Sequence, residues 1–183
     1  SNAMDKKEIR KEIKRLRLSL DNEQKEMFAD QVFTQLEELQ EFKQADHILF
    51  YHSLPDELPT LRYLNKWSTS KHLYLPRVNG EELDILPYSE DSLDSGAFDI
   101  IEPTGQDLVD DSKIELVIVP AVAFDKSKNR LGRGKGFYDR LLKKACNAKT
   151  IGVGYDFQLM ESLPVEPHDV PMEIVVTPSN VIR

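Results

Sequence analysis

The run Asn129-Arg130-Leu131-Gly132-Arg133-Gly134-Lys135-Gly136-Phe137-Tyr138-Asp139-Arg140 alternates three glycines with two cations, then adds an aromatic pair and an acid. Glycine lets backbone amides approach a ligand closely and adopt positive φ. Successive amides of this kind form a concave anion site. Arg133 suits bidentate phosphate contact, and Lys135 acts as a point charge. From Phe137 the pattern turns helical, with Phe137, Leu141 and Ala145 at one spacing and Tyr138 and Leu142 at another. A phosphate at the loop would then meet a helix N-terminus, where amides and dipole both favour negative charge. Asp139 would lie in the first turn, where a carboxylate beside phosphate oxygens can hold Mg²⁺. A Gly-rich loop with solvated cations is the competing reading. The run is not a Walker A loop, because no Ser or Thr follows Lys135, and its glycine spacing is not that of a dinucleotide fingerprint.

These residues must be positioned by what precedes them. Leu116-Val117-Ile118-Val119-Pro120 reads as a buried strand, and Ala121 to Asp125 runs out of it. Strand, loop and helix in that order put ligands at the carboxyl ends of parallel strands. Taken together, LVIVPAVAFDKSKNRLGRGKGFYDR resembles the signature of the 5-formyltetrahydrofolate cyclo-ligase family, also called methenyltetrahydrofolate synthetases. Ala121 and Phe137 depart from it where Gly and Tyr are common. The resemblance runs more weakly from about Lys6 to the chain end. It implies an enzyme using ATP and Mg²⁺ to cyclise 5-formyltetrahydrofolate to 5,10-methenyltetrahydrofolate. The nucleotide set is then Lys6, Arg10, Arg130, Leu131, Gly132, Arg133, Gly134, Lys135, Gly136, Phe137 and Tyr138, with Arg133 and Lys135 at the reacting phosphates. Lys6 with Arg10 fits a family Lys/Arg pair four apart, and Lys7 with Lys11 is the weaker register. Asp139 and Asp169 are the metal candidates, and Glu57, Phe98 and Tyr138 the folate candidates. For Glu57 the alternative is a helix N-terminus, and for Phe98 an apolar plug in a loop. A sugar-phosphate isomerase-like enzyme and a non-catalytic nucleotide- or folate-binding module are the competing functions.

The chain has 183 residues, 40% apolar and 31% charged, which suits one soluble domain over residues 4–183 after an expression scar at 1–3. A net charge of −8 argues against nucleic acid as a partner. No apolar run reaches membrane-spanning length and no signal peptide is visible. With one cysteine, Cys146, read as a packing residue on the helix after the glycine loop, the chain is expected to be cytoplasmic. Its expected partners are ATP and the folate, and it is expected to be monomeric. Cations crowd the N-terminus, where a helix from Asp5 to about Leu18 carries Ile9, Ile13, Leu16 and Leu20 on an apolar stripe and Lys6, Arg10, Lys14 and Arg17 on a basic one. Asp21 caps a second helix expected to reach about Gln44, with Met27, Val32, Phe33, Leu36 and Leu39 inward. Strands are expected at 47–51, 72–76, 83–88, 150–155 and 173–177, a helix at 60–68, and irregular acidic chain at 93–110. Gly152 and Gly154 suggest close approach of another backbone or a ligand. His47, His52 and His72 show no metal-ligand spacing and read as structural or surface residues. Alternating strands and helices imply a three-layer α/β fold with a mainly parallel sheet after the N-terminal helices, and the resemblance implies that it is Rossmann-like. The family fold, shared with certain sugar-phosphate isomerases, agrees.

Overall fold

Asp5 starts the first helix. In the computed structural model, which describes residues 4–96 and 100–183, the Asp5 carboxylate accepts the Glu8 N–H at 2.8 Å and the Glu8 carboxylate accepts the Asp5 N–H at 3.5 Å. This capping box satisfies two donors that a helix start leaves free. Helix α1 spans Lys6–Leu18. Ile9 and Ile13 are buried, while Leu16 and Leu20 lie half-buried beside them. Arg17 departs from the rest of the basic stripe: it is 4% exposed. A buried guanidinium survives only with partners. It donates to the Ala121 carbonyl at 2.6 Å and lies 3.6 Å from the Asp56 carboxylate.

Asp21 caps α2, Asn22–Glu37, in the same reciprocal way with Gln24. The helix stops short of Gln44 because Leu39 turns extended, and a separate α3, Gln40–Gln44, follows. That break lets Phe42 pack on Trp67 at 4.7 Å between ring centroids. Val32, Phe33 and Leu36 are buried as expected, but Met27 is 48% exposed. At about 100° per residue Met27 faces away from them, and Ala29 takes the inward place.

The remaining elements are β1 (His47–Leu49), α4 (Leu61–Trp67), β2 (His72–Asn79), β3 (Glu82–Pro87), β4 (Leu93–Ser95), β5 (Ile101–Pro103), β6 (Leu116–Val119), β7 (Ala123–Asp125), β8 (Arg130–Leu131), α5 (Phe137–Lys144), β9 (Lys149–Val153), β10 (Leu159–Met160), β11 (Ile174–Thr177) and β12 (Asn180–Ile182). Seven strands form the main sheet in the order β12-β11-β9-β6-β1-β2-β3. The five central strands are parallel, and β12 and β3 close the edges antiparallel. One face is covered by α2, α3 and α4 through Phe33, Leu36, Leu64 and Trp67 against Ile48, Leu75 and Ile118. The other packs α5 through Leu141, Leu142 and Ala145 onto Val117, Val119 and Val175. Helix–sheet–helix is thus the three-layer α/β arrangement with a mainly parallel sheet. A small sheet, β10-β7-β8, lies against α1 through Ile9, Ile13, Ala123 and Leu131.

Several details differ from expectation. The acidic stretch 93–110 contains the β4–β5 pairing. The strand expected at 173–177 is followed by β12, which returns beyond the Pro178-Ser179 turn. Gly152 makes room for a side chain rather than a backbone or ligand: a Cβ there would stand 2.4 Å from the Phe124 ring. At Gly154 the neighbour is Gln158, at 2.9 Å. Cys146 lies past the end of α5 and is exposed, so it is not a packing residue. Among the described residues no helix is long and apolar enough to cross a membrane.

Candidate active site

The site forms where β1 and β6 end. Asp125 prepares the glycine loop from below. It is 2% exposed, and its carboxylate accepts the Ser127 and Asn129 amides at 3.0 and 2.9 Å and the Leu163 amide at 3.0 Å. This fixes the β7–β8 turn, where Lys128 has φ +68°. Arg130 then props the loop: its side chain is 6% exposed, donates to the Pro120 carbonyl at 2.9 Å, and stacks on the Tyr138 ring at 5.1 Å. Gly134 and Gly136 take φ of +105° and +72°, a region that L side chains adopt only with strain. Gly136 caps α5, so the loop runs into a helix N-terminus as expected. Arg140 fastens the loop to the β2–β3 hairpin by donating to the carbonyls of Lys135, at 2.9 Å, and Glu81, at 2.8 Å.

The N-terminal helix supplies the facing wall. Arg10 donates to the Gly132 carbonyl at 2.9 Å, and its guanidinium lies 3.6 Å from where a Cβ on Gly134 would stand. Lys6, one turn earlier, pairs with Glu166 at 2.9 Å. Lys6 and Arg10 thus both line the cavity, whereas Lys7 and Lys11 are exposed.

The third wall is the loop after β1. Ser53 and Thr60 exchange backbone-to-hydroxyl bonds of 2.9 and 3.1 Å, and the Thr60 hydroxyl donates to the Tyr51 carbonyl at 2.8 Å. Inside this staple the Glu57 carboxylate, 7% exposed, accepts the Leu54 amide at 2.8 Å. Glu57 is not in a helix first turn, because α4 begins only at Leu61 with Thr60 as its cap. Burial pushes its carboxyl above the ordinary range, while Arg133, the Leu54 amide and Arg17 pull it back down. Arg133 reaches across to this wall, 3.1 Å from Asp56 and 3.7 Å from Glu57. Asp56 therefore bridges Arg133 and the buried Arg17.

These walls enclose a cavity of about 520 Å³, within the usual range for a small-molecule site. Every candidate nucleotide residue lines it, as do Glu57, Asp139 and Asp169. Its lining also includes the apolar Pro76, Val78, Leu83, Ile100 and Ile101. Phe98 lies outside the described residues. Asp139 is 3.8 Å from the Arg130 guanidinium. Asp169 accepts the Glu166 amide at 2.8 Å and lies 3.5 Å from the His168 ring. Both carboxylates offer hard oxygen donors beside the anion-seeking loop, a donor set that fits Mg²⁺ with phosphate oxygens. The Tyr138 phenol is pushed up by its burial and by Glu57, so it stays protonated and can donate. Sequence reasoning missed Asp56, Arg17, Glu166 and His168. Asp56 had a faint signal, an acid pair between prolines. Arg17 had one too: it stands four positions after Ile13 and eight after Ile9 and so shares their inward face, although its charge groups it with the basic stripe.

Comparison with known proteins bears on this geometry. The 5-formyltetrahydrofolate cyclo-ligase family pattern matches residues 2–178. The Escherichia coli K12 5-formyltetrahydrofolate cyclo-ligase is 35% identical over 178 residues, covering 92% of this chain and 98% of its own. The Haemophilus influenzae protein of the same name is 34% identical over 180 residues, covering 93% and 96%. The structure of the Aquifex aeolicus 5,10-methenyltetrahydrofolate synthetase superposes with a TM-score of 0.89 at 36% identity, covering 98% of this chain and 93% of the other. The chain, matched along nearly its whole length, belongs to the 5-formyltetrahydrofolate cyclo-ligase family.

Proposed function

We propose that the protein catalyses the ATP- and Mg²⁺-dependent cyclisation of 5-formyltetrahydrofolate to 5,10-methenyltetrahydrofolate, releasing ADP and phosphate. The observation that carries this reading is one cavity holding two unlike devices. A glycine–cation loop suited to phosphates faces a buried carboxylate suited to a ring with N–H donors.

A formyl oxygen is a poor leaving group. Transfer of the γ-phosphoryl group to it breaks the bond to ADP and creates a phosphate leaving group. The second folate nitrogen then attacks the formyl carbon, loses its proton, and the carbon–oxygen bond breaks to release phosphate. Such chemistry asks for positioning and charge stabilisation. The amides of Gly132 to Gly136 and the charge of Lys135 hold the terminal phosphates. Lys6 and Arg10 close over the nucleotide from α1, and Arg130, Leu131 and Phe137 shape its floor. Arg133 stands between nucleotide and folate, where it can follow charge from the phosphoryl group to the formyl oxygen. Glu57 and Tyr138 orient the folate. Asp139 and Asp169 would hold Mg²⁺, which neutralises phosphate charge when bound.

The test is the near-ultraviolet absorbance of the methenyl product, followed with and without ATP and Mg²⁺. Absorbance that grows only with both supports the proposal. Turnover of the folate without ATP would point to an isomerase-like enzyme, and binding of both ligands without product to a binding module. Lys135→Ala is expected to raise KM for ATP roughly 10- to 100-fold, the worth of a charged hydrogen bond, with Tm nearly unchanged. Equal loss of activity and Tm would remove Lys135 from the phosphate role.

A further inference from the structure

At the opposite end of the sheet from the cavity, Asp46, His47 and His72 bring one ligand atom each within 4.8 Å of one another. Their spacing in the chain hid this, because the contact is made by strand register. His47 opens β1, His72 opens β2, and the two are direct partners in the parallel pairing. Among the described residues it is the only such group of three.

The group is built rather than accidental. The His72 N–H donates to the Asp46 carbonyl at 2.8 Å. One Glu115 oxygen accepts the amides of both Asp46 and His47 at 2.9 Å. All three backbones are therefore fixed before any ligand arrives. The imidazoles lie nearly parallel, at 9° and 4.7 Å between centroids, and the exposed His72 ring must turn for both in-plane lone pairs to meet at one ion. Each Nε2 faces the same Asp46 oxygen, at 3.8 Å for His47 and 4.0 Å for His72. Those separations are too long for hydrogen bonds. They exceed by about 0.4 to 0.6 Å the ligand–ligand spacing of about 3.4 Å that tetrahedral bonds near 2.1 Å require, and all three ligand atoms lie within 4.8 Å of one another, so the exposed side chains must draw in around an ion. The His47 Nδ1 is already held by the Tyr74 hydroxyl at 2.7 Å. Holding the second ring nitrogen is how proteins fix the tautomer and aim of a metal-ligating imidazole.

We propose that Asp46, His47 and His72 form a metal site for a transition-metal dication of the zinc, copper or nickel class, with Tyr74 orienting His47. Two imidazoles disfavour Mg²⁺, so the site is chemically distinct from the carboxylates of the cavity. Three protein ligands leave a fourth position for water, and the bound ion clips the start of β1 to the start of β2.

Zn²⁺ is titrated calorimetrically into the full chain at saturating Mg²⁺, and Cu²⁺ is used for nitrogen hyperfine structure in electron paramagnetic resonance. The expected result is one equivalent per chain and two nitrogen ligands. His72→Ala and Asp46→Asn, both at exposed side chains, are expected to abolish that equivalent. Tyr74→Phe is expected to weaken it by about 10-fold, as loss of an orienting partner does. His168→Ala, beside the cavity acids, is expected to leave it intact. Absence of stoichiometric binding, or binding unchanged in His72→Ala, or binding lost in His168→Ala alone, overturns the proposal.

Discussion

Glu57 is a carboxylate held where its charge is costly. Burial raises its pKa above the ordinary 4.5 despite Arg133 and Arg17 nearby. The sign follows from linkage: between the unfolded and the raised folded value the native state binds more protons, so stability falls as pH rises through that window. Above the folded value the penalty is complete. Glu57→Gln keeps an oxygen for the Leu54 amide but removes the charge. We expect its Tm to exceed that of the unaltered protein at neutral pH, with the gap closing below pH 4.5, while KM for the folate rises. A lower Tm at neutral pH would mean that Arg17 and Arg133 need the charge more than burial opposes it. Gly136 makes the complementary case on the backbone. At φ +72°, with the Arg140 guanidinium 2.7 Å from a built Cβ, Gly136→Ala should cost about 1–2 kcal/mol in urea unfolding. It should also weaken ATP, because the same turn shapes the loop.

At the scale of elements, α1 couples a local signal to the site. Its capping box is made from Asp5 and Glu8 alone, yet the helix carries Lys6 and Arg10 to the cavity. Asp5→Ala should remove about 1 kcal/mol of helix stability. The expected kinetic signature is a raised KM for ATP with kcat preserved at saturation, since a frayed helix can still be ordered by nucleotide. A fall in kcat with unchanged KM would contradict the proposed role of α1 in nucleotide binding. The β2–β3 hairpin plays the mirror role on the other side. Arg140 and the Lys144–Glu82 pair at 2.8 Å hold its tip against the loop and α5.

The whole molecule brings three separately built walls to one cavity. The α1 wall and the loop before α5 touch through Arg10 and Gly132, and a nucleotide between them would add contacts that the unfolded chain lacks. ADP with Mg²⁺ at about 100 times its Kd should therefore stabilise the fold by about 2.7 kcal/mol, read as a rise in Tm. Arg10→Ala should shrink that rise at the same ADP concentration, whereas loss of the Asp46 group should not alter it.

Much of this was already legible along the chain, wherever the signal spans only a few residues. The Asp21 cap, the buried strand at Leu116–Val119, the positive-φ glycines and the helix from Phe137 are decided by neighbours three or four positions apart. Local spacing did not choose between Lys6 with Arg10 and the equally spaced Lys7 with Lys11; the resemblance favoured the first pair, and those two side chains line the cavity. Tertiary structure alone decided the rest. It gave Arg17 its partners, Asp56 and the Ala121 carbonyl, although the spacing within α1 had already set that cation in line with Ile9 and Ile13. It turned Arg133 toward Asp56 and Glu57, 77 and 76 positions away. It set His47 beside His72 and placed the Phe124 ring against Gly152. The physical reason is common to all four: the partner of a buried charge, a strand or a ring is chosen by register and packing between distant segments. A one-dimensional pattern records that a residue wants a partner and leaves the partner's identity to the folded chain.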